Sequence, residues 1–157
     1  MTSSKSLSRS PSSTVSANTI VSSLLTIQTP GRGFVDLTAE VAKFVKEMRA
    51  REGAVALFIR HTSASLTIQE NADPSVLADL MTVLDRLAPE DAGWSHDTEG
   101  PDDMPAHIKT MLTATSLHIP VLECELALGT WQAIYLIEHR ARAYRREIVL
   151  QFVGAVQ

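Results

Sequence analysis

The chain has a single cysteine, Cys124, among 157 residues. No intrachain disulfide can form, and nothing suggests an exported, cross-linked scaffold. Cys-x-x-Cys and His-Glu-x-x-His spacings are both missing, so no local metal signature is present. Aromatic residues make up only 5%, which leaves Leu, Val, Ile, Ala and Met to build the core. No apolar run reaches the roughly 18 residues that a spanning helix needs. Positive charge is not in excess: the net charge of −4 argues against a general nucleic-acid binder. There is no internal repeat. With 45% hydrophobic and 20% charged residues, the expectation is one globular domain in the cytoplasm, without membrane or nucleic-acid partners.

The first sixteen residues hold eight Ser, two basic residues and no acid. They lack the apolar block of a secretory signal. A disordered Ser-rich tail over residues 1–19 is the preferred reading over a targeting segment, with the domain running from 20 to 157.

Hydrophobic periodicity predicts a mixed fold. Ile20 to Thr29 reads as a strand, and Pro30-Gly31-Arg32-Gly33 as a turn. Thr38 suits the N-cap of a helix to about Arg51, with Val41, Phe44, Val45 and Met48 on one face and Gly53 at C′. Ala54 to Ile59 is a buried strand, and Leu66 to Ile68 continues as strand after a polar break. Asp73-Pro74 opens a second helix that Pro89 ends. A polar loop over 89–104 leads to a short helix from Pro105 to Ala114, with Ile108, Met111 and Leu112 facing inward. Ile119 to Cys124, Gly129 to Glu138 and Glu147 to Val153 are further strands. Without a regular βαβ repeat, this pattern implies a compact α+β domain with a largely antiparallel sheet and about three helices.

The polar break, Arg60-His61-Thr62-Ser63-Ala64-Ser65 with Gln69-Glu70-Asn71, gathers one titratable ring with many donors and acceptors at a strand end. No Gly-x-Ser-x-Gly elbow is present, so hydroxyls that bind phosphate rank above a serine nucleophile. Of the five histidines, His96 lies in the acidic loop, His107 at a helix start and His139 beside Glu138. Imidazole with carboxylate suits zinc or acid–base work, and equally ordinary hydrogen-bonded histidines. Glu99 to Asp103 is either a solvated helix-capping cluster or a Mg²⁺ ligand set. Arg140, Arg142, Arg145 and Arg146 form a basic turn that binds phosphate or keeps a hairpin tip soluble. Trp131 reads as packing in a core or interface. Cys124 reads as a small buried hydrophobe.

Taken together, His61 to Ile68, Glu70 to Pro74, His96, Glu99 to Lys109, Leu128 to Gln132 and Glu138-His139-Arg140 resemble the YjbQ family. The resemblance covers about residues 20 to 154. Two positions depart from the family pattern: Cys124 and Ala133 stand where glycine is usual. The resemblance implies a homotrimer with sites near subunit interfaces. It implies a secondary thiamine-phosphate synthase activity, which couples a hydroxymethylpyrimidine diphosphate to a thiazole phosphate and releases diphosphate. It further implies a pocket built from His61, His96 and His107, with Glu70, Asn71, Glu138 and His139 nearby; the expected roles there are His61, His107 and Glu70 in catalysis, and Thr62, Ser63, Ser65, Asn71 and Arg140 on the phosphorylated metabolite. His61, His96 and His107 would hold a divalent metal, Zn or Mg. Two rival readings are a metal-dependent hydrolase of a phosphorylated metabolite and a non-enzymatic module that binds an anionic small molecule.

Overall fold

The computed structural model describes residues 6–157, so the first five residues of the expected Ser-rich tail lie outside it. Residues 6–18 form no helix or strand and are exposed. From there the order is β1 (Thr19–Gln28), β2 (Gly33–Asp36), α1 (Thr38–Glu47), β3 (Ala50–Ile59) and β4 (Ala64–Glu70). Next come α2 (Pro74–Leu87), α3 (Asp103–Leu112), β5 (Ser116–Leu122), β6 (Glu125–Leu126), β7 (Gln132–Glu138) and β8 (Arg145–Val156).

The strands make two sheets rather than one. Five lie in the order β1-β8-β3-β5-β6 and three in the order β2-β7-β4. Every ladder is antiparallel. Alternation along β3 and β8 points Val55, Leu57, Ile59, Ile148, Leu150 and Phe152 into one core. Leu66 of β4, Ile134 and Leu136 of β7, and Val41 and Val45 of α1 complete it. The α+β architecture with three helices is thus as the periodicity implied.

Several local expectations are corrected. Thr38 is the first residue of α1, not its cap: Leu37 holds that place, and the Thr38 hydroxyl accepts the Ile134 N–H at 2.9 Å. The helix ends at Glu47, because Arg49 (φ 55°) already has the left-handed backbone of a C-terminal stop. Gly53 lies inside β3. A Cβ there would meet the carbonyl oxygen of Val153 at 2.3 Å, so the glycine serves the close pairing with Gly154. β2, unrecognised in the sequence, is a four-residue edge strand with no fully buried side chain to mark it.

α3 begins two residues earlier than expected, and its buried face is partly polar: Asp103, Ala106 and Lys109, with Pro105. Met111 is 86% exposed and Leu112 55%. Cys124 does not end a buried strand. It forms the β5–β6 turn with Glu123, and both have positive φ (71° and 51°). The Cys124 side chain is half-buried, and its Sγ receives the Gln157 Nε2–H at 2.9 Å. Trp131 is 66% exposed and takes no part in the core.

Candidate functional site

The start of α3 sets the first half of the site. Asp103 and His107 are one helical turn apart, so both side chains leave the helix on the same side. Gly100 (φ 108°) turns the incoming loop, and His96 from that loop reaches Asp103 Oδ2 with its Nε2 at 2.7 Å. His107 Nε2 lies 3.4 Å from the same oxygen. The ligand atoms of His96, Asp103 and His107 all fall within 4.8 Å of one another.

Two outer contacts fix this cluster. Arg140 donates to Asp103 Oδ1 through Nη1, to Asp102 Oδ2 through Nε at 3.1 Å, and to the Glu99 carbonyl through Nη2 at 2.8 Å. His107 Nδ1 lies 2.9 Å from the Thr62 carbonyl. A carbonyl only accepts, so Nδ1 carries a proton, and the ring is oriented with Nε2 toward Asp103. Burial pushes the Asp103 carboxyl up. The His96 hydrogen bond and the charges of Arg140 and His107 outweigh it and hold the group below the ordinary carboxylate range.

The second half lies where β3 ends beside β8. Arg146 shares the inward parity of Ile148, Leu150 and Phe152 and meets Glu138 of β7. Its Nε and Nη2 donate to the two oxygens of Glu138 at 2.7 and 2.6 Å. Glu138 also accepts from the Thr29 hydroxyl and the Arg140 N–H. Both members of the pair are buried, with every oxygen of the carboxylate satisfied. An open cleft of about 520 Å³ lies there, lined by Phe58 to Ser63, Thr115 and Arg146. In it, His61 Nε2 accepts the Glu147 N–H at 2.9 Å, which leaves the ring proton on Nδ1. Burial first, then the charge of Arg146, lowers the His61 pKa below its ordinary value.

Not all the expected residues meet. His96 and His107 come together with Asp103, whereas His61 is not in that cluster. Thr62 and Ser63 line the cleft beside His61. Ser65, expected on phosphate, is fully buried and bonded to His139 Nε2 at 2.8 Å and Thr113 Oγ1 at 2.6 Å. Arg140 is 7% exposed, and its three donor nitrogens are all engaged. Of the other arginines in the turn, Arg142 and Arg145 are exposed and Arg146 is buried.

Glu70 and Asn71 sit at the far end of β4, roughly 20 Å along the strand from Ser63 at about 3.3 Å per residue. There Glu70, Trp131 and Gln132 line a separate open pocket of about 460 Å³. Within one chain, the structure therefore does not bring Glu70 to His61 or His107.

Three contributors were named in the sequence reading only as members of the acidic cluster and the basic turn, without their separate roles. Asp103 had a readable signal, the Asp-x-x-x-His spacing to His107, which appears only once the helix starts at Asp103. Arg146 had another, its alternation with Ile148 and Leu150. Asp102, read as a helix-capping or Mg²⁺-binding carboxylate, instead steadies Arg140.

This architecture recurs in known proteins. The family model described as "UPF0047 protein YjbQ-like" matches residues 23–155. A UPF0047 protein of Synechocystis is 46% identical over 134 residues, covering 85% of this chain and 91% of that one. The UPF0047 protein YjbQ of Escherichia coli O157:H7 is 41% identical, covering 83% and 95%. Among solved structures, a YjbQ/UPF0047 protein of Clostridium acetobutylicum superposes with a TM-score of 0.76 at 35% identity, covering 82% and 98%. The hypothetical protein APE1520 of Aeropyrum pernix superposes at 0.79 with 25% identity, covering 86% and 99%. The chain belongs to the YjbQ/UPF0047 family.

Proposed function

We propose that this chain is a metal-dependent enzyme acting on a phosphorylated small molecule, and that its reaction is of the thiamine-phosphate synthase type. The observation that carries this reading is the convergence of His96, Asp103 and His107, whose ligand atoms all lie within 4.8 Å of one another. With Nδ1–H held by the Thr62 carbonyl, Nε2 is the nitrogen of His107 left for a ligand, and it lies 3.4 Å from a carboxylate oxygen. Two electron-rich atoms in that position suit a shared cation, and His96 supplies a third ligand. A divalent ion there would supply Lewis-acid neutralisation of diphosphate charge.

In the coupling, the bond between the pyrimidine methylene carbon and the diphosphate oxygen breaks. Diphosphate leaves with the electron pair, and the thiazole nitrogen forms the new C–N bond. The chain's residues orient the phosphates, exclude misplacement and neutralise charge; no covalent nucleophile is required. His61 offers its Nδ1–H at the cleft as a hydrogen-bond donor to the departing oxygen.

The test is turnover of metal-replete protein with both half-precursors, read by mass spectrometry. Thiamine phosphate formed over many turnovers supports the coupling. A second reading, hydrolysis of a phosphorylated metabolite, is favoured by one observation: the cluster and the cleft lie together, while the Glu70–Trp131 pocket lies apart. Diphosphate cleavage without coupling would decide for it. Absence of any product would leave a binding module.

The assembly belongs to the same proposal. The outer face of the five-stranded sheet carries three cross-strand rows: Leu24-Val149-Phe58-Ser116, Ser22-Gln151-Ala56-His118 and Ile20-Val153-Ala54-Pro120. None of these is Asp, Glu, Lys or Arg. A solvated sheet face normally alternates to polar and charged residues. Further copies of this chain, as a homotrimer in the cytoplasm, are the proposed cover.

A further inference from the structure

We propose that Arg146 is the phosphoryl anchor of this chain, aimed into the cleft by Glu138, Tyr144 and Ser63. The assignment rests on the proposed action on a phosphorylated molecule and names the group that recognises its phosphate. The sequence reading offered the four arginines of the turn and favoured Arg140 in that role, but each side-chain nitrogen of Arg140 already has a partner.

Arg146 is held on three sides. Its Nε and Nη2 are locked to Glu138, Nη2 also donates to Ser63 Oγ at 3.0 Å, and its guanidinium lies 4.6 Å from the centre of the Tyr144 ring. Only Nη1 has no partner among the described residues. It is also not one of the two buried unpaired atoms there, Arg32 Nε and His139 Nδ1. Arg146 lines the cleft, so Nη1 is the edge that opens to it.

A guanidinium fixed this way holds the N–H groups of Nη1 in one place, where each can donate to a phosphate oxygen. The ion pair with Glu138 cancels its net charge at long range but leaves the free edge as a directed donor. The rest of the cleft is consistent in chemistry. Ser63 Oγ accepts from Arg146, so its own hydroxyl proton remains to be donated. His61 carries its proton on Nδ1. Arg60 adds a cation, partly offset by Glu147 at 3.6 Å. The adjoining Thr62 carbonyl orients His107. A phosphoryl group on Arg146 therefore lies one residue step from the backbone that sets the His96–Asp103–His107 cluster. The ligand class is a phosphate monoester or the terminal phosphate of a diphosphate.

The experiment is calorimetric titration of the full chain with inorganic diphosphate, run with and without a chelator. Expected is binding that persists in chelator. It should weaken roughly tenfold or more in Arg146→Lys, which keeps a cation for Glu138 but loses the second Nη donor pair. Ser63→Ala, which leaves the Arg146–Glu138 pair intact, should weaken it severalfold. If Arg146→Lys does not fold, Ser63→Ala decides. Wild-type protein that binds no diphosphate under either condition would overturn the assignment, as would a folded Arg146→Lys or Ser63→Ala that binds with unchanged affinity. Because binding is read in chelator and without turnover, this result stands apart from the fate of the metal and the coupling reaction.

Discussion

His107 donates its Nδ1 proton to the Thr62 carbonyl at 2.9 Å. That single contact ties the strand-end motif around His61 to the helix that carries Asp103. It also decides which nitrogen of His107 is left to act.

The first consequence concerns zinc. His96 is 46% exposed in its side chain and contributes little to packing. His96→Ala should lower zinc affinity by roughly 100-fold, as expected for loss of one of three protein ligands, in a protein that still folds. Competition titration against a chromogenic chelator measures the affinity. Equal zinc binding in the variant would remove His96 from the site.

Acid should destabilise the fold through His139. Burial, then the charges of Lys109 and Arg146, holds its pKa down at about 3, against an ordinary 6.5. Between these values the unfolded ring binds a proton and the folded ring does not. This contribution to stability is therefore complete above about 6.5 and is lost as pH falls, by up to ~1.4 kcal/mol per pH unit. His61 is lowered in the same direction but is partly solvent-screened. Urea unfolding at pH 7 and pH 5 should differ in midpoint for the wild type. The difference should shrink in His139→Asn, and an unchanged slope there would dissociate the effect from His139.

A charge on the outer sheet face should split the assembly. Ala56 sits in the middle row between Gln151 and His118. Ala56→Glu should give monomers where the wild type gives trimers, read by light scattering behind a sizing column. A monomeric wild type would end the homotrimer proposal.

The β5–β6 turn offers a gain. Cys124 at φ 71° holds a backbone that glycine adopts without the Cβ clash. Cys124→Gly should stabilise the chain by up to about 1 kcal/mol in chemical unfolding. A loss of stability instead would mean that the Gln157 contact to Sγ matters more than the turn.

How much of this was legible beforehand varied with the physics involved. Asp73-Pro74 marked the start of α2 because cap chemistry is local, and Asp73 indeed accepts the Ser75 N–H. The strands β3 and β8 were visible because their alternation is strong. The start of α3 was not: its buried face carries Asp103 and Lys109, so a search for apolar periodicity put Ile108, Met111 and Leu112 inside. The family motif gathered most of the site-region residues into one list, but a list has no distances. Glu70 and His61 are close in sequence, and an extended strand carries them apart. His96 and Asp103 meet only because a turn at Gly100 folds the loop back. Arg140 and Arg146 are both basic residues in one turn, and only the partners of each tell the holder from the free donor.

The polar docking of α3 has a consequence for how the molecule responds to acid. β3 and β8 are held by apolar burial, which is indifferent to protonation. α3 is held in large part by Asp103 to Arg140 and by Lys109 to Asp85 at 2.5 Å. Such contacts weaken in acid, while the sheets between them keep their core. The helix and its loop, tied to Arg140 beyond β7 and to Asp85 of α2, are thus the part whose docking depends most on charge. An ion held by His96, Asp103 and His107 would join the loop to α3 and act as a fastening for both.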